Sequence, residues 1–403
     1  MKNSNVTLIK DIPAFLFMLM LWRVLPAKIL AIVLGDKGES LGMGGVVVIC
    51  IVGYVAYVWL YLQGRLLRTK AYIIPIIGVA VLAISVIIHL NDYNTLYLNY
   101  YLRYVLVPAL CLISVKNFEY LLELYGRFAL VTFFVLGWQP ITASNVFANY
   151  MDYGFTVALP CSIGLYILAK LRKNIVYKVL AVIAIGFAIA FANRSTWLCI
   201  LIFIILFNLI IEKAAIKKIG FLILLFIIAL LVAYNFEKIL DWLISLNNMF
   251  NYNSHSLMKF QQLLSGTTLD VFTSGRDTLS KIAREEIMKW FPFGAGVGYF
   301  ESKTGMYSHN IFYDFLLDWG AIGGIVFLIV IIYIFKSLIK ENNSVLKVVK
   351  LLLLCLWFPK LFFSGTFTYE LAFWGSIVIS IKNPLIKPFR YKLCINNERG
   401  GKK

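Results

Sequence analysis

IGFLILLFIIALLVAYN, residues 219–235, follows Lys217-Lys218 and reaches the polar stretch NFEKILDW without one charged side chain. A helix of that length spans most of a hydrocarbon core about 30 Å thick, at ~1.5 Å per residue. Runs of the same kind recur from end to end. They lie near 12–34, 43–62, 71–90, 96–114, 119–138, 155–171, 175–193, 195–212, 310–335, 347–363 and 367–382, so the pattern predicts about twelve transmembrane helices. Lipid offers backbone N–H and C=O groups no partner, so the fold expected is an all-α polytopic membrane protein. The composition agrees: 61% hydrophobic, 14% charged, against about a quarter charged in a soluble domain.

The formal net charge is +18, and its placement excludes nucleic acid as the partner. Arg65, Arg68 and Lys70 follow the second span; Lys170, Arg172 and Lys173 the sixth; Lys213, Lys217 and Lys218 the eighth; Lys336 and Lys340 the tenth. The tail adds Lys382, Lys387, Arg390, Lys392, Arg399, Lys402 and Lys403. With an even span count all fall on one side, so both termini are expected in the cytoplasm. Ile12–Leu34 is long and lacks a small-residue cleavage site, so it reads as the first span rather than a signal peptide. The chain divides into nine spans over 1–235, a long loop at 236–309, three spans over 310–382 and a basic tail at 383–403. The loop is the one long segment on the outer face, and long loops escape the charge rule. Within it GRDTLSKIAREEIMKWF (275–291) has helical spacing, with Leu279, Ile282, Ile287 and Trp290 set to meet the bilayer surface or the spans. No internal repeat of the transporter kind is visible.

Cys50, Cys111, Cys161, Cys199 and Cys355 lie in apolar runs and Cys394 in the tail, so neither a disulfide framework nor a cysteine metal site is expected. Ionisable groups within spans are costly and are candidates by default: Arg23, Lys28, Arg103, Glu119, Glu123, Arg127, Arg194 and Lys360, with Glu370 at an edge. Arg23 and Lys28 are placed to snorkel, and Glu123 and Arg127, four apart, to pair. Arg103, in YYLRYVLVP, lies deeper and is open between structure and function. Arg194, in AFANRSTWL, stands in a tight outer turn that has little structural need of a guanidinium. Its fixed fork of donors suits phosphate oxygens. Gly294, Gly296 and Gly298 have no preceding strand and read as a flexible turn, not a dinucleotide loop. Asp314 and Asp318 share a helix face and read as structural; no Asp-x-Asp pair offers a metal site on the outer face. His309 stands where the loop re-enters the membrane, facing Arg194 and Arg276. An imidazole beside two arginines suits proton abstraction next to a bound phosphate.

At these residues the chain resembles the O-antigen polymerase and O-antigen ligase superfamily of bacterial surface-polysaccharide enzymes. His309-Asn310, nine residues, then Gly320 and Gly323 are similar to that family's His-Asn…Gly-x-x-Gly motif. SGR ending at Arg276, before an amphipathic stretch and PFGAGVGYF, looks like its loop ahead of the histidine. Arg194 with Leu198 resembles its Arg-x-x-x-Leu motif, and NVFANYMDYGFTVALP (145–160) is a weaker echo. The likeness covers roughly 190–325. It implies a GT-C-like glycosyltransferase of the inner membrane, acting at the periplasmic face on a glycan carried by undecaprenyl diphosphate. It implies Arg194 and Arg276 on the diphosphate and His309 as base. Arg103, Tyr307 and Asn310 are further expected substrate contacts, and with no Asp-x-Asp pair on the outer face, catalysis without a metal or cofactor is expected. A repeat-unit polymerase, in company with a chain-length regulator, is the reading preferred; a ligase acting on lipid A-core and a non-catalytic transporter are the alternatives. If 236–309 is outside, a cysteine at Ser254 should react with a membrane-impermeant thiol reagent in intact spheroplasts. Labelling only after lysis would reject this topology.

Overall fold

The computed structural model describes residues 2–62, 70–88, 91–142, 147, 150–212, 214–250, 252, 254–264 and 276–382. Arg65, Arg68, Lys213 and the basic tail at 383–403 lie outside the described residues. Within them every regular element is helical, and no strand occurs. Eight helices are long and apolar enough to cross a membrane: Asp36–Leu60, Lys70–Ile88, Asp92–Ser114, Phe118–Ile141, Tyr150–Arg172, Arg194–Ile211, Ala215–Tyr234 and Ile311–Lys340. A ninth span forms if Asp11–Leu21 and Val24–Leu34, bent by 53°, count as one. The other three expected segments are also helices. Ile175–Phe191 and Leu371–Ile381 are shorter, and Ser344–Leu361 carries Lys347, Lys350 and Lys360. This is the architecture of a polytopic membrane protein.

Burial varies along the bundle as lipid contact requires. Ala215–Tyr234 has no buried residue, whereas Tyr150–Arg172 runs through the core. That central helix lies close against Phe118–Leu136: a methyl on Gly164 would meet the Ala129 Cβ at 2.3 Å. Small residues allow such approach where lipid gives no hydrophobic drive. Several charges in the bundle are paired. Glu123 accepts from Arg127 at 2.5 Å and also from Arg172. Lys28 does not snorkel: it is buried, 2.8 Å from Glu39 and 3.3 Å from Asp152. Nor does Arg23, which stands at the helix break over the ring of Tyr104. Cys50, Cys111, Cys161, Cys199 and Cys355 are buried thiols.

The long loop holds the helices Phe236–Met249, His255–Leu264, Arg276–Trp290 and Tyr299–Thr304. They dock on the spans. Asn247 Nδ2 donates to the Ala190 carbonyl at 3.1 Å, and Tyr252 Oη to that of Phe191 at 2.9 Å. Leu279, Ile282 and Ile287 pack with Ala283, Phe300, Tyr313 and Leu317, so the amphipathic face meets the protein rather than the bilayer surface. Ser254 is only 4% exposed. The labelling experiment therefore belongs at Ser302, an exposed residue of the same loop.

The span expected at 310–335 is broken. Gly320, at φ 60° and ψ −143°, interrupts Ile311–Lys340. Turning the peptide there frees the Leu317 and Asp318 carbonyls, and the glycine stretch fills them. Ala295 N–H donates to Leu317 at 2.6 Å and Gly296 N–H to Asp318 at 3.2 Å, while Ala321 N–H reaches the Pro292 carbonyl at 2.8 Å. Gly294, Gly296 and Gly298 all have positive φ. The stretch is thus a turn, as its composition says, but a packed one instead of a free hinge. A Cβ on Gly320 would lie 2.0 Å from the Pro292 oxygen. Gly320→Ala should therefore lower the thermal midpoint in detergent, by strain of about 1–3 kcal/mol or more. Gly186→Ala, at a helical position with open space around it, should not. Equal melting of the two variants would refute this account of the break.

Candidate functional site at the loop side of the bundle

Three sequence-distant side chains are linked where the loop covers the spans, Arg276 lying within electrostatic reach of both Arg194 and His309. Arg194 opens the helix Arg194–Leu206, whose start is fixed by Asn193: its Oδ1 accepts from Thr196 N–H at 2.9 Å. The Asn247 and Tyr252 bonds hold the turn before it. Phe260 of the loop lies 5.7 Å from the Arg194 guanidinium and stacks on Trp197 at 5.9 Å, with the ring planes 6° apart. A cation over an aromatic face is held in orientation without losing its charge. Tyr150 stands within electrostatic reach of the same guanidinium.

Arg276 is the first residue of Arg276–Trp290. Its charge acts on both Arg194 and His309. Like charges so placed repel, and each arginine also begins a helix, where unpaired N–H groups and the macrodipole add positive potential. Two cationic helix starts within electrostatic reach of each other make this a region of positive potential, of the kind that suits an anion with several oxygens. Arg276 has no carboxylate partner among the described residues.

His309 adopts φ 59°, the left-handed region that non-glycine residues seldom enter. Its Nδ1 lies 3.1 Å from the Phe363 carbonyl. A carbonyl can only accept, so Nδ1 carries the hydrogen and Nε2 presents its lone pair. Burial holds the imidazole below its ordinary pKa of 6.5; the bond to Phe363 opposes that, and the Arg276 charge adds to it. The ring is therefore neutral at neutral pH, the state a general base needs. Tyr307 packs on it with centroids 4.3 Å apart and is tied by its hydroxyl to Ser364 at 3.2 Å. Asn310 caps the next helix, its Oδ1 accepting from Phe312 N–H at 3.0 Å. Ser308 Oγ, from behind, lies 2.5 Å from Oδ1 of the buried Asp314. Tyr307, Ser308 and Asn310 thus brace the strained turn that aims the histidine.

The sequence-derived residues divide accordingly. Arg276 lies within electrostatic reach of Arg194 and of His309, and Tyr307 and Asn310 stand beside His309. Arg103 does not join them: it is exposed on the π-helical turn Leu102–Leu106, without a contact to this cluster among the described residues. Two other loop cations, Arg284 and Lys303, would be expected from their polar setting to meet only solvent; Arg284 is exposed, but Lys303 is not idle. It pairs with the buried Glu286 at 2.5 Å, and that contact holds the Glu286 carboxyl below the usual range. The end of the span expected at 347–363 and the residue after it supply the Phe363 carbonyl and Ser364. Phe260 and Tyr150 were also missed; a backbone carbonyl and a shared aromatic face leave no mark in a sequence. No three His, Cys, Asp or Glu side chains gather as metal ligands among the described residues.

The electrostatics give a pH test. Whatever reaction His309 serves as base, the acid limb of kcat/KM should have its midpoint below 6.5, since kcat/KM reports the free protein. Arg276→Ala removes a cation that disfavours imidazolium, so the limb should move up in pH in the residual activity. A limb that stays put or moves down would contradict the assigned proximity.

No family model, no curated protein and no solved structure matches this chain.

Proposed function

We propose that the chain is a glycosyltransferase that polymerises lipid-linked oligosaccharide repeat units. In this reading it spans the bacterial inner membrane twelve times in a GT-C-like arrangement, with both termini cytoplasmic and the Arg194–Arg276–His309 site at the periplasmic face. The observation that carries it is that Arg276 lies within electrostatic reach both of Arg194, another helix-starting arginine, and of His309, an oriented imidazole held below its ordinary pKa. The motifs around His309, Arg276 and Arg194 supply the choice of substrate, a glycan on undecaprenyl diphosphate as both donor and acceptor.

The step balances without a metal. The acceptor hydroxyl attacks the anomeric carbon and its proton passes to His309 Nε2. The bond from that carbon to the diphosphate oxygen breaks, and the electron pair leaves on undecaprenyl diphosphate. One displacement inverts the anomeric centre. Arg194 and Arg276 hold the growing charge with fixed donors, where other enzymes use a cation. The two breaks in the bundle, at Arg23 and Gly320, favour a second reading as a transporter, since such proteins break helices at their binding sites. They stand in unlike contexts rather than at matching positions of a repeat.

The test is a purified protein given lipid-linked repeat units. Activity should persist in excess EDTA; loss that added magnesium restores would overturn the metal-free step. His309→Ala should lower the rate by roughly a hundred- to ten-thousand-fold with donor binding kept. Arg276→Ala should weaken donor binding and slow chemistry together, and Arg276→Lys should restore only part, because a point charge cannot make a two-pronged contact. Arg284→Ala should change nothing. Lengthened lipid-linked product marks a polymerase, and transfer to lipid A-core a ligase. Normal-length polysaccharide in cells carrying a well-inserted His309→Ala variant would end this mechanism.

A further inference from the structure

A second group of charged and aromatic side chains lies inside the bundle and has no part in the step above. Lys360 Nζ is 2.5 Å from Glu370 Oε2 and 5.5 Å from the centre of the Phe155 ring. Arg23 stands over Tyr104 at 5.0 Å and within electrostatic reach of Glu370 and Tyr369. Tyr100 touches both Tyr104, at 5.7 Å, and Tyr369, edge-on at 5.2 Å. The group sits deeper than the arginine–histidine mouth: Lys360 acts on Cys199, five residues into the helix that Arg194 begins, or about 7 Å along its axis.

Every one of these side chains is half-buried, and Lys360 and Glu370 keep 22% and 20% of their surface accessible. Charged atoms do not turn such surface toward hydrocarbon without large cost, so it faces water within the bundle. The group is also continuous with the mouth. Tyr369 is within electrostatic reach of Tyr307, which packs on His309. The segment 362–370 carries the Phe363 carbonyl at one end and Tyr369-Glu370 at the other.

We propose that this cluster binds the acceptor glycan and delivers its hydroxyl to His309. The chemistry discriminates among ligands. A lipid tail would offer no polar contact to the Arg23 guanidinium or to the accessible surface of the Lys360–Glu370 pair. A phosphate needs donors only, and Glu370 would repel it. A sugar presents hydroxyls that both donate and accept, which suits two cations and a carboxylate. It also presents an apolar ring face, which suits tyrosines set at angles to one another. The name "acceptor" rests on the transferase reading; the carbohydrate specificity rests on the cluster alone.

The experiment uses the full chain in detergent and two probes. One is the free oligosaccharide released by mild acid from the host's lipid-linked repeat units; the other is inorganic pyrophosphate. Saturation-transfer NMR should show the oligosaccharide on the wild-type protein, with magnetisation arriving from aromatic protons. Tyr369→Leu and Lys360→Met should weaken it about tenfold, the scale of one lost aromatic or charge-assisted contact. Tyr369→Phe, which keeps the ring, should retain most of it, and Arg276→Ala should bind it as wild type does. Pyrophosphate binding should show the reverse pattern, lost in Arg276→Ala and kept in Tyr369→Leu. The proposal is overturned if the wild type does not bind the oligosaccharide, if Tyr369→Leu binds it normally, or if pyrophosphate displaces it. The wild-type measurement decides even if the variants fail to fold. Failure of the pyrophosphate pattern alone counts against the diphosphate site and leaves the glycan cluster standing.

Discussion

Backbone hydrogen bonding inside an apolar surround governs this molecule. A helix may be interrupted there only where other groups take up the N–H and C=O left behind. At Gly320 the glycine stretch ahead of the site does so, by bonds from Ala295 and Gly296 to Leu317 and Asp318 and from Ala321 back to Pro292. The interruption locks the loop helix Arg276–Trp290 to the half of the span that follows His309, since both ends of that arrangement share Leu317 and its neighbours. Arg276 and His309 therefore ride on one packed unit rather than on a mobile strap, and the distance between them does not depend on a loose loop.

The second arginine is brought in from the other side. The turn before Arg194 is pinned by Asn247 and Tyr252, and its guanidinium by Phe260. The loop thus touches both halves of the site, which explains why a segment rich in polar residues is so extensively docked. Holding two guanidiniums together costs Coulomb energy in the empty protein, more so where water is partly excluded. An anion bound between them would offset that cost. Burial disfavours the imidazolium of His309, and the Arg276 charge adds to that.

Aromatic side chains do the remaining positioning. Phe260 orients Arg194, Tyr307 supports the strained His309 turn, and Tyr100, Tyr104 and Tyr369 line the deeper cluster. Rings of this kind offer rigid surface with few rotatable bonds, and a hydroxyl that can reach a partner when buried. Ion pairs such as Lys360–Glu370 and Lys28–Glu39 keep charge tolerable within the bundle.

Periodicity and charge placement determined the helical, membrane-spanning character without any coordinates, because an apolar run such as 219–235 has no other stable form in lipid. The chemical types at Arg194, Arg276 and His309 were legible too, since charge and imidazole in and beside apolar spans are conspicuous. Tertiary structure decided the rest. Gly320 breaks a run that looked continuous, because the carbonyls it exposes find partners 20 and more residues earlier in the chain. Lys28 is buried, not snorkelling, because Glu39 and Asp152 come from other helices. Lys303 is bound by Glu286, and Arg103 lies outside the site although its sequence setting resembled a deep one. The Phe363 carbonyl that selects the histidine tautomer belongs to a backbone group any residue could supply. Local pattern fixes which face of a segment is apolar; which charge meets which depends on how distant segments pack, and a sequence carries no direct record of that.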